Sequence, residues 1–222
     1  MSDRVLAFIP AFNEAANIGA VVTRTRPYVA EVIVVDDGSS DKTGVIASDA
    51  GAMVLRHEQN RGKGAAIVTS LDHFAKSGAE MAVFLDADGQ HAPDEIPKFL
   101  DAACQSGAPM VIGNRMGETS EMPLLRLLTN RLTSWLTGRM AHQRIPDSQC
   151  GFRLLRRDVL PSLRLTSVRF ETETEMLIQA GRAGHKIASV PVRTIYVPAR
   201  SSRIRPLPDT LRFLKLIWKY RR

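Results

Sequence analysis

Five short apolar runs rich in β-branched residues, each set off from the next by a longer stretch of helical period, leave the first half of this chain few ways to fold. The runs are Val5 to Ile9, Glu31 to Val35, Met53 to Arg56, Met81 to Leu85 and Met110 to Ile112; the stretches are Ala15 to Arg26, Lys42 to Ala50, Gly64 to Ser77 and Asp94 to Ser106. Strands that alternate with helices pair mostly in parallel, because each crossover returns the chain to the same end of the sheet while its helix covers a face. The pattern predicts an α/β fold with a mainly parallel sheet covered by helices. Ligands of such sheets bind beyond the carboxyl ends of the strands. Five polar segments fall there: residues 10–14, 36–41, 57–63, 86–91 and 113–115.

After residue 115 the rhythm changes. Leu124 to Met140 sets Leu124, Leu128, Leu132 and Trp135 at helical spacing, with Arg126, Arg131 and Arg139 off that stripe. The segment Asp147 to Leu155 follows, then a helix near Glu171 to Ala183 and a strand from Ile187 to Tyr196. Residues 207–222 read as a basic amphipathic helix suited to a membrane surface, or as a terminal helix packed on its own domain. With no linker or repeat evident, residues 1–222 are expected to form one domain: a nucleotide- and metal-binding half (1–115), an acceptor-binding half (116–206) and the C-terminal helix.

Charge divides the same way. Residues 1–110 carry nine Lys/Arg against 15 Asp/Glu, a net of −6, and residues 111–222 carry 21 against eight, a net of +13. An acidic half joined to a basic one points to cation binding in one place and to an anion or membrane surface in another. No aromatic-basic stacking platform or helix-turn-helix pattern supports nucleic acid as the partner. The two cysteines, Cys104 and Cys150, form no C-x-x-C pair, so structural zinc or an oxidised scaffold is not expected, and a reducing cytosol is the default compartment. No apolar run reaches 18 residues and no leader segment is evident, so membrane contact is expected to be peripheral.

The most informative segment is Phe84-Leu-Asp-Ala-Asp-Gly-Gln-His91. Residues two apart in extended chain face the same side, so Asp86 and Asp88 can present their carboxylates together. Two carboxylates about 4 Å apart repel by roughly 4 kcal/mol at an effective dielectric near 20, and a cation between them removes that cost. Oxygen ligands favour Mg²⁺ or Mn²⁺ completed by substrate phosphates, with Gln90 a further ligand. The plain structural alternative is a turn at Asp88-Gly89 ahead of a helix. Asp36 and Asp37, beyond the second strand, are placed to accept hydrogen bonds from a ribose or a base, and Glu14 can do so from the first loop. Helix capping by Ser40 or Asp41 accounts for part of the same segment. Asn60-Arg-Gly-Lys-Gly64 resembles a phosphate-cradling loop but lacks P-loop spacing; Lys63 and the following helix start suit a nucleotide phosphate. In the basic half, Arg115, Arg126, Arg131, Arg200, Arg203 and Arg205 are candidates for an anion, since guanidinium matches phosphate oxygens bidentately. No G-x-S-x-G elbow or histidine metal spacing supports a hydrolase.

Taken in order, Pro10-Ala-Phe-Asn-Glu14, Val34-Val-Asp-Asp-Gly-Ser-Ser-Asp-Lys-Thr43, Asn60-Arg-Gly-Lys-Gly64, Asp86-Ala-Asp-Gly-Gln-His91, Gly113-Asn-Arg115 and Asp147-Ser-Gln-Cys-Gly-Phe152 resemble the motifs of family 2 inverting glycosyltransferases, in particular the dolichyl- or polyprenyl-phosphate sugar synthases. The resemblance runs from about residue 5 to 205. It implies a GT-A (Rossmann-like) nucleotide-sugar transferase fold and metal-dependent transfer of a sugar from a GDP-mannose or UDP-glucose type of donor to a lipid-linked phosphate. By the same resemblance, Glu14, Asp36 and Asp37 face the nucleoside; Pro10, Phe12, Lys63 and Asp86 complete the expected nucleotide-binding set. Asp86, Asp88 and Gln90 hold Mg²⁺ or Mn²⁺. Arg115 and Arg126 face the acceptor phosphate; Arg131, Gln149, Arg200 and Arg203 are further candidates for phosphate contacts, and Asp86, Asp88 and Arg115 are the expected catalytic set. The enzyme is expected at the cytoplasmic face of a membrane.

The chain lacks the Glu-Asp base motif and the Q-x-x-R-W motif found in many relatives that glycosylate hydroxyls. A phosphate monoester, with a second pKa of about 6, is already a nucleophile at neutral pH, whereas a hydroxyl needs a base. If the acceptor were instead a hydroxyl on a glycolipid or polysaccharide, Asp147 or Glu173 would have to be that base.

Overall fold

The computed structural model describes residues 5–117, 122–195 and 206–221. Seven strands form one sheet in the order β3-β2-β1-β4-β6-β5-β7: β1 Val5–Ala11, β2 Glu31–Asp36, β3 Met53–Arg56, β4 Met81–Phe84, β5 Met110–Asn114, β6 Arg153–Arg156 and β7 Ile187–Pro191. All pairings are parallel except those of β6, which lies antiparallel between β4 and β5. The seven helices are α1 Ile18–Thr25, α2 Thr43–Asp49, α3 Lys63–Lys76, α4 Ile96–Ser106, α5 Leu124–Met140, α6 Glu171–Arg182 and α7 Pro206–Lys219.

The period of the strands sorts their side chains onto two cores. Val5, Ala7, Ile9 and Ala11 of β1 pack with Ile18, Val22, Ala47 and Phe99 from α1, α2 and α4, while Leu6 and Phe8 pack on the other face with Ile67, Leu71, Phe74 and Leu177 from α3 and α6. Burial on both faces explains why these strands read as continuous apolar runs. The strand order reverses beside β1: the chain runs outward through β2 and β3, then crosses to β4 on β1's other side. That reversal opens a crevice at the carboxyl ends of β1 and β4, the place where open α/β sheets bind ligands.

Three boundaries differ from expectation for identifiable reasons. Residues 15–17 form a turn in which the Glu14 carbonyl accepts the N–H groups of Asn17 and Ile18, so α1 starts only at Ile18. The segment 147–155 supplies β6, too short and too arginine-flanked to announce itself as a strand. The expected strand from Ile187 ends at Pro191, and Tyr196 lies outside the described residues.

A buried carboxylate on α6 is the centre of the contacts that fasten α7 to it. Glu175 accepts hydrogen bonds from the N–H groups of Thr166 and Ser167, from Lys219 Nζ at 2.9 Å and from the Tyr220 hydroxyl at 3.0 Å. Burial works against its charge, but Lys219 and the Ser167 and Thr166 donors prevail and bring its pKa from 4.5 to about 2. A depressed folded-state value means that this support is complete above the unfolded value of 4.5 and is lost as pH falls through about 2. Pepsin cleavage within α7 should therefore accelerate as pH drops from 4.5 towards 2. In Glu175→Gln, cleavage should be fast already at pH 4.5 and change little below it.

Candidate active site

The loops beyond β1 and β2 are built as one piece. Asn13, at φ 50°, donates its backbone N–H to Ser39 Oγ (2.9 Å) and accepts the Ser40 N–H on its side-chain oxygen (2.9 Å). The Glu14 N–H reaches Thr43 Oγ1 at 2.7 Å, the Ala15 N–H reaches Asp41 at 3.2 Å, and Asp41 also accepts from the Thr43 backbone and hydroxyl. Asparagine tolerates the left-handed region better than most residues, which explains its place in this turn. Glu14 is buried, with Asn17 Nδ2 at 3.2 Å from its carboxylate, and Pro10 and Phe12 are half-buried at the end of β1.

Asp36 and Asp37 depart from the expectation of carboxylates presented to a nucleoside. Asp36 is fully buried and accepts from the Ser39 N–H (2.9 Å) and Arg56 (3.0 Å). Asp37 accepts from the N–H groups of Arg61 (2.9 Å) and Gly62 (2.8 Å) and pairs with His57 Nδ1 at 2.7 Å, whose other ring nitrogen meets Thr69. Both carboxylates are spent on shaping loops. Gly38 shows the resulting tightness: at φ 72°, a Cβ there would lie 2.5 Å from the Gln59 carbonyl carbon. The glycines around Lys63 also serve packing. A Cβ on Gly64 would sit 2.1 Å from Thr172 Oγ1, so this glycine lets the start of α3 press against residues 168–172.

That contact carries Lys63 to the centre of the crevice. Its ammonium lies 2.6 Å from Asp86 Oδ1 and 3.0 Å from Glu173 Oε2 in the first turn of α6, and Asp86 Oδ2 meets His91 Nε2 at 3.2 Å. Burial alone would lower the Lys63 pKa, yet Asp86 and Glu173 raise it above the ordinary lysine value. Burial likewise opposes the Asp86 charge, but Lys63 and His91 hold that carboxyl well below the usual range. Gly151 makes room for it: a Cβ there would fall 2.5 Å from Asp86 Oδ2. A small pocket lined by Pro10, Lys63, Asp86, Gly151, Arg153 and Glu173 joins these groups at the reversal of strand order.

Two arginines fix the wall formed by residues 147–153. Arg115, expected to face an acceptor phosphate, is buried in a bidentate pair with Asp147, Nε to Oδ2 at 2.7 Å and Nη2 to Oδ1 at 3.0 Å. Burial disfavours both charges; their mutual hydrogen bonds raise the arginine and lower the aspartate. Cys150 beside them is an inert thiol, pushed up to about 12 by burial. Arg153 is fully buried and donates to the carbonyls of Ser148, Cys150 and Glu173, pinning the Gly151 loop to the start of α6. Sequence reasoning missed Arg153, and it noticed Glu173 only as a base. Neither has a local signal, because both act through contacts distant in sequence. Gln149 is exposed, with its N–H on Asp147. Arg126 and Arg131 are exposed on α5, and Arg200, Arg203 and Arg205 lie outside the described residues.

α5 is turned inside out relative to an ordinary surface helix. Its buried face is Asn130, Ser134, Thr137 and Gly138, while Leu124, Leu125, Leu128, Leu132 and Trp135 are exposed, from 53% to 78%. Small polar groups explain the inner packing: Ser134 Oγ accepts the Ser148 N–H at 2.9 Å, and Gly138 lies where a Cβ would meet the Gln143 carbonyl at 2.7 Å. α7 exposes Leu211, Leu214 and Trp218 in the same manner and buries Leu216.

The donor set was expected to hold Mg²⁺ or Mn²⁺. Asp86 is partly exposed, but β4 ends at Phe84 and Ala87 and Asp88 lie in a turn, closed by the Gln90 N–H on Asp88 Oδ1 at 3.0 Å, so the extended-chain spacing expected to align the two carboxylates is not what positions them. Among the described residues, no group of three or more His, Cys, Asp or Glu is arranged to hold a metal ion by itself. The space beside Gly151 is taken by the Asp86 carboxylate itself, and as hard oxygen donors Asp86 and Asp88 fit by chemistry a cation whose remaining ligands come from phosphates.

Residues 7–164 match the family model described as Glycosyl transferase family 2. The chain is 33% identical over 227 residues to a UDP-N-acetylglucosamine–dolichyl-phosphate N-acetylglucosaminyltransferase of Methanococcus voltae, covering 91% of this chain and 90% of the relative. It is 31% identical to the polyprenol monophosphomannose synthase of Mycolicibacterium smegmatis, covering 86% and 77%. Among solved structures, glucosyl-3-phosphoglycerate synthase from Mycobacterium tuberculosis with Mg²⁺ and UDP superposes with a TM-score of 0.72 at 26% identity, covering 97% of this chain and 78% of that one.

Proposed function

The chain belongs to glycosyl transferase family 2, and from that premise we propose that it moves a sugar, with inversion, from a nucleotide-sugar donor to a polyprenyl or dolichyl phosphate at a membrane surface. The observation that carries the acceptor reading is the outward apolar face of α5, flanked by Arg126 and Arg131. A helix that turns leucines and a tryptophan to the outside beside arginines is matched to an amphiphile with an anionic head. The relatives named for dolichyl phosphate and for polyprenol support the same class. The donor is of the GDP-mannose or UDP-glucose type, seated over the joined loops 10–14 and 36–43.

Asp86 and Asp88, with Gln90, are the residues that would hold Mg²⁺ or Mn²⁺, which supplies charge neutralisation for the departing nucleoside diphosphate. The neighbour solved with Mg²⁺ and UDP supports the use of a divalent ion, as does the same enzyme solved with Mn²⁺ and UDP. Lys63, held between Asp86 and Glu173, adds a half-buried cation on the leaving-group side. The acceptor phosphate is oriented by Arg126 and Arg131, with Arg200 and Arg203 as further contacts, and its oxygen attacks the anomeric carbon opposite the leaving group. Arg115 and Asp147 set the wall against which it rests. No base is required of the protein. Either carboxylate that could serve a hydroxyl acceptor as base is already engaged, Asp147 with Arg115 and Glu173 with Lys63.

Among the described residues no helix is long and apolar enough to cross a membrane. The exposed apolar faces of α5 and α7 support the reading that attachment is peripheral, and we assign it to the cytoplasmic face. Leu128→Ser with Trp135→Ser removes two exposed apolar side chains, each contributing roughly 2 kcal/mol on burial in lipid. Binding to vesicles should weaken at least about tenfold while thermal stability is unchanged, as measured by co-sedimentation and calorimetry. The acceptor class is tested by offering the purified protein GDP-mannose and UDP-glucose with a short polyprenyl phosphate and with the polyprenol of the same length. Product from the phosphate alone is expected. Product from the polyprenol, with none from the phosphate, would transfer the reading to hydroxyl acceptors.

A further inference from the structure

At the end of the molecule away from Asp86, the C-terminal ends of α5, α6 and α7 surround an open cavity of about 640 Å³ lined by Arg139, Met140, His142, Arg182 and Arg221. Along α6, Glu173 at the active site and Arg182 at the cavity are nine residues apart, about 13 Å of helix. Four of the five lining residues are basic side-chain types and none is a carboxylate.

The two exposed apolar stripes end here in the same way. On α5 the stripe Leu128, Leu132, Trp135 continues to Arg139, whose guanidinium lies 6.0 Å from the Trp135 ring centre. On α7 the stripe Leu211, Leu214, Trp218 continues to Arg221, 4.5 Å from the Trp218 ring centre. Tryptophan with a neighbouring cation is the side-chain pair that sits at headgroup depth in a bilayer.

Arg182 has a structural duty: it donates to the Met140 carbonyl at 3.1 Å and to the Tyr220 carbonyl, binding the three helix ends together. Arg139 and Arg221 have none of that kind, since among the described residues neither makes an ion pair. His142 follows the end of α5 at φ 55°, where glycine would close the helix with less strain, and it adds another basic side chain to the rim.

We infer that this cavity is a second anion site, separate from the catalytic centre, which takes the phosphate of an anionic lipid headgroup and fixes how the α5–α7 face lies on the membrane. The inference rests on the membrane reading above. Continuity with the apolar stripes assigns the phosphate to a bilayer lipid rather than to a free ion.

Co-sedimentation with phosphatidylcholine vesicles, with and without 30% phosphatidylglycerol at about 0.15 M salt, tests it. Arg139→Gln with Arg221→Gln should bind phosphatidylglycerol vesicles about 30-fold more weakly, two arginine contributions at a lipid surface. Lys42→Gln with Lys76→Gln, the same charge change on exposed residues elsewhere, should stay within about twofold of the parent. Both variants should keep the parent's melting temperature, because all four side chains are exposed.

Equal losses in the two variants would reduce the effect to diffuse charge and overturn the site. If the cavity variant binds vesicles like the parent while the parent, but not the variant, binds inorganic phosphate in solution, the headgroup assignment is overturned. A parent protein that binds neither vesicle type would instead refute the membrane reading, and the two failures are told apart by that first measurement.

Discussion

Replacing Asp86 with asparagine is expected to lower sugar transfer by at least about 10³-fold, roughly 4 kcal/mol of transition-state stabilisation, with the fold intact. The substitution keeps the shape of the side chain and an oxygen for Lys63, which retains Glu173 as its other partner. It removes the negative charge that would hold a divalent cation against the donor diphosphate. The same change should abolish tight Mn²⁺ binding in the presence of nucleotide, followed by electron paramagnetic resonance, while the far-ultraviolet circular dichroism spectrum stays that of the parent. Activity within tenfold of the parent would remove Asp86 from the reaction.

The second large effect is on stability. Asp147→Ala leaves the Arg115 guanidinium buried with neither of its carboxylate hydrogen bonds. Breaking one side of a buried pair costs about 3–5 kcal/mol, because the remaining charge is neither solvated nor compensated. In a chain of this size each kcal/mol moves the melting temperature by about 2–4 °C, so a fall of roughly 6–20 °C is expected by scanning calorimetry. Arg115→Met combined with Asp147→Leu should recover most of that loss, since apolar replacement of both partners removes the desolvation cost as well as the attraction. A single variant melting within 2 °C of the parent would mean that the pair contributes little.

What the sequence disclosed and what it withheld follow from the range of the interactions. β1, β2, β4 and β5 were legible because burial on both sheet faces demands unbroken apolar runs, whereas edge strand β3 is exposed or half-buried throughout, and Asp86 stood out as a carboxylate just beyond such a run. The parallel order followed from alternation with helices. β6 was not legible: its four residues, Arg-Leu-Leu-Arg, owe their strand conformation to the neighbours β4 and β5 on either side. Helical spacing in α5 identified the apolar stripe but not which way it faces, since that depends on Ser134 and Gly138 finding partners in the segment 143–148.

The site shows the same division. Asp36 and Asp37 were visible as an acidic pair, but their commitment to Arg56, His57 and the 61–62 backbone is tertiary. The pairing of Arg115 with Asp147 spans 32 residues and that of Lys63 with Glu173 spans more than a hundred, distances at which one sequence has no local signature. The side chains easiest to find were therefore those whose role follows from position on a strand. Those that hold the site in shape emerged only from the fold.

The central claim is that a divalent ion at the exit of β4 fastens the donor's diphosphate to this chain. Calorimetric titration of GDP and UDP into the purified protein, with Mn²⁺ and then with excess chelator, tests it most directly. Binding of at least one of the two nucleotides at least about tenfold tighter with Mn²⁺ is the predicted result, a difference of about 1.4 kcal/mol. Equal affinity in chelator for whichever nucleotide binds would contradict it.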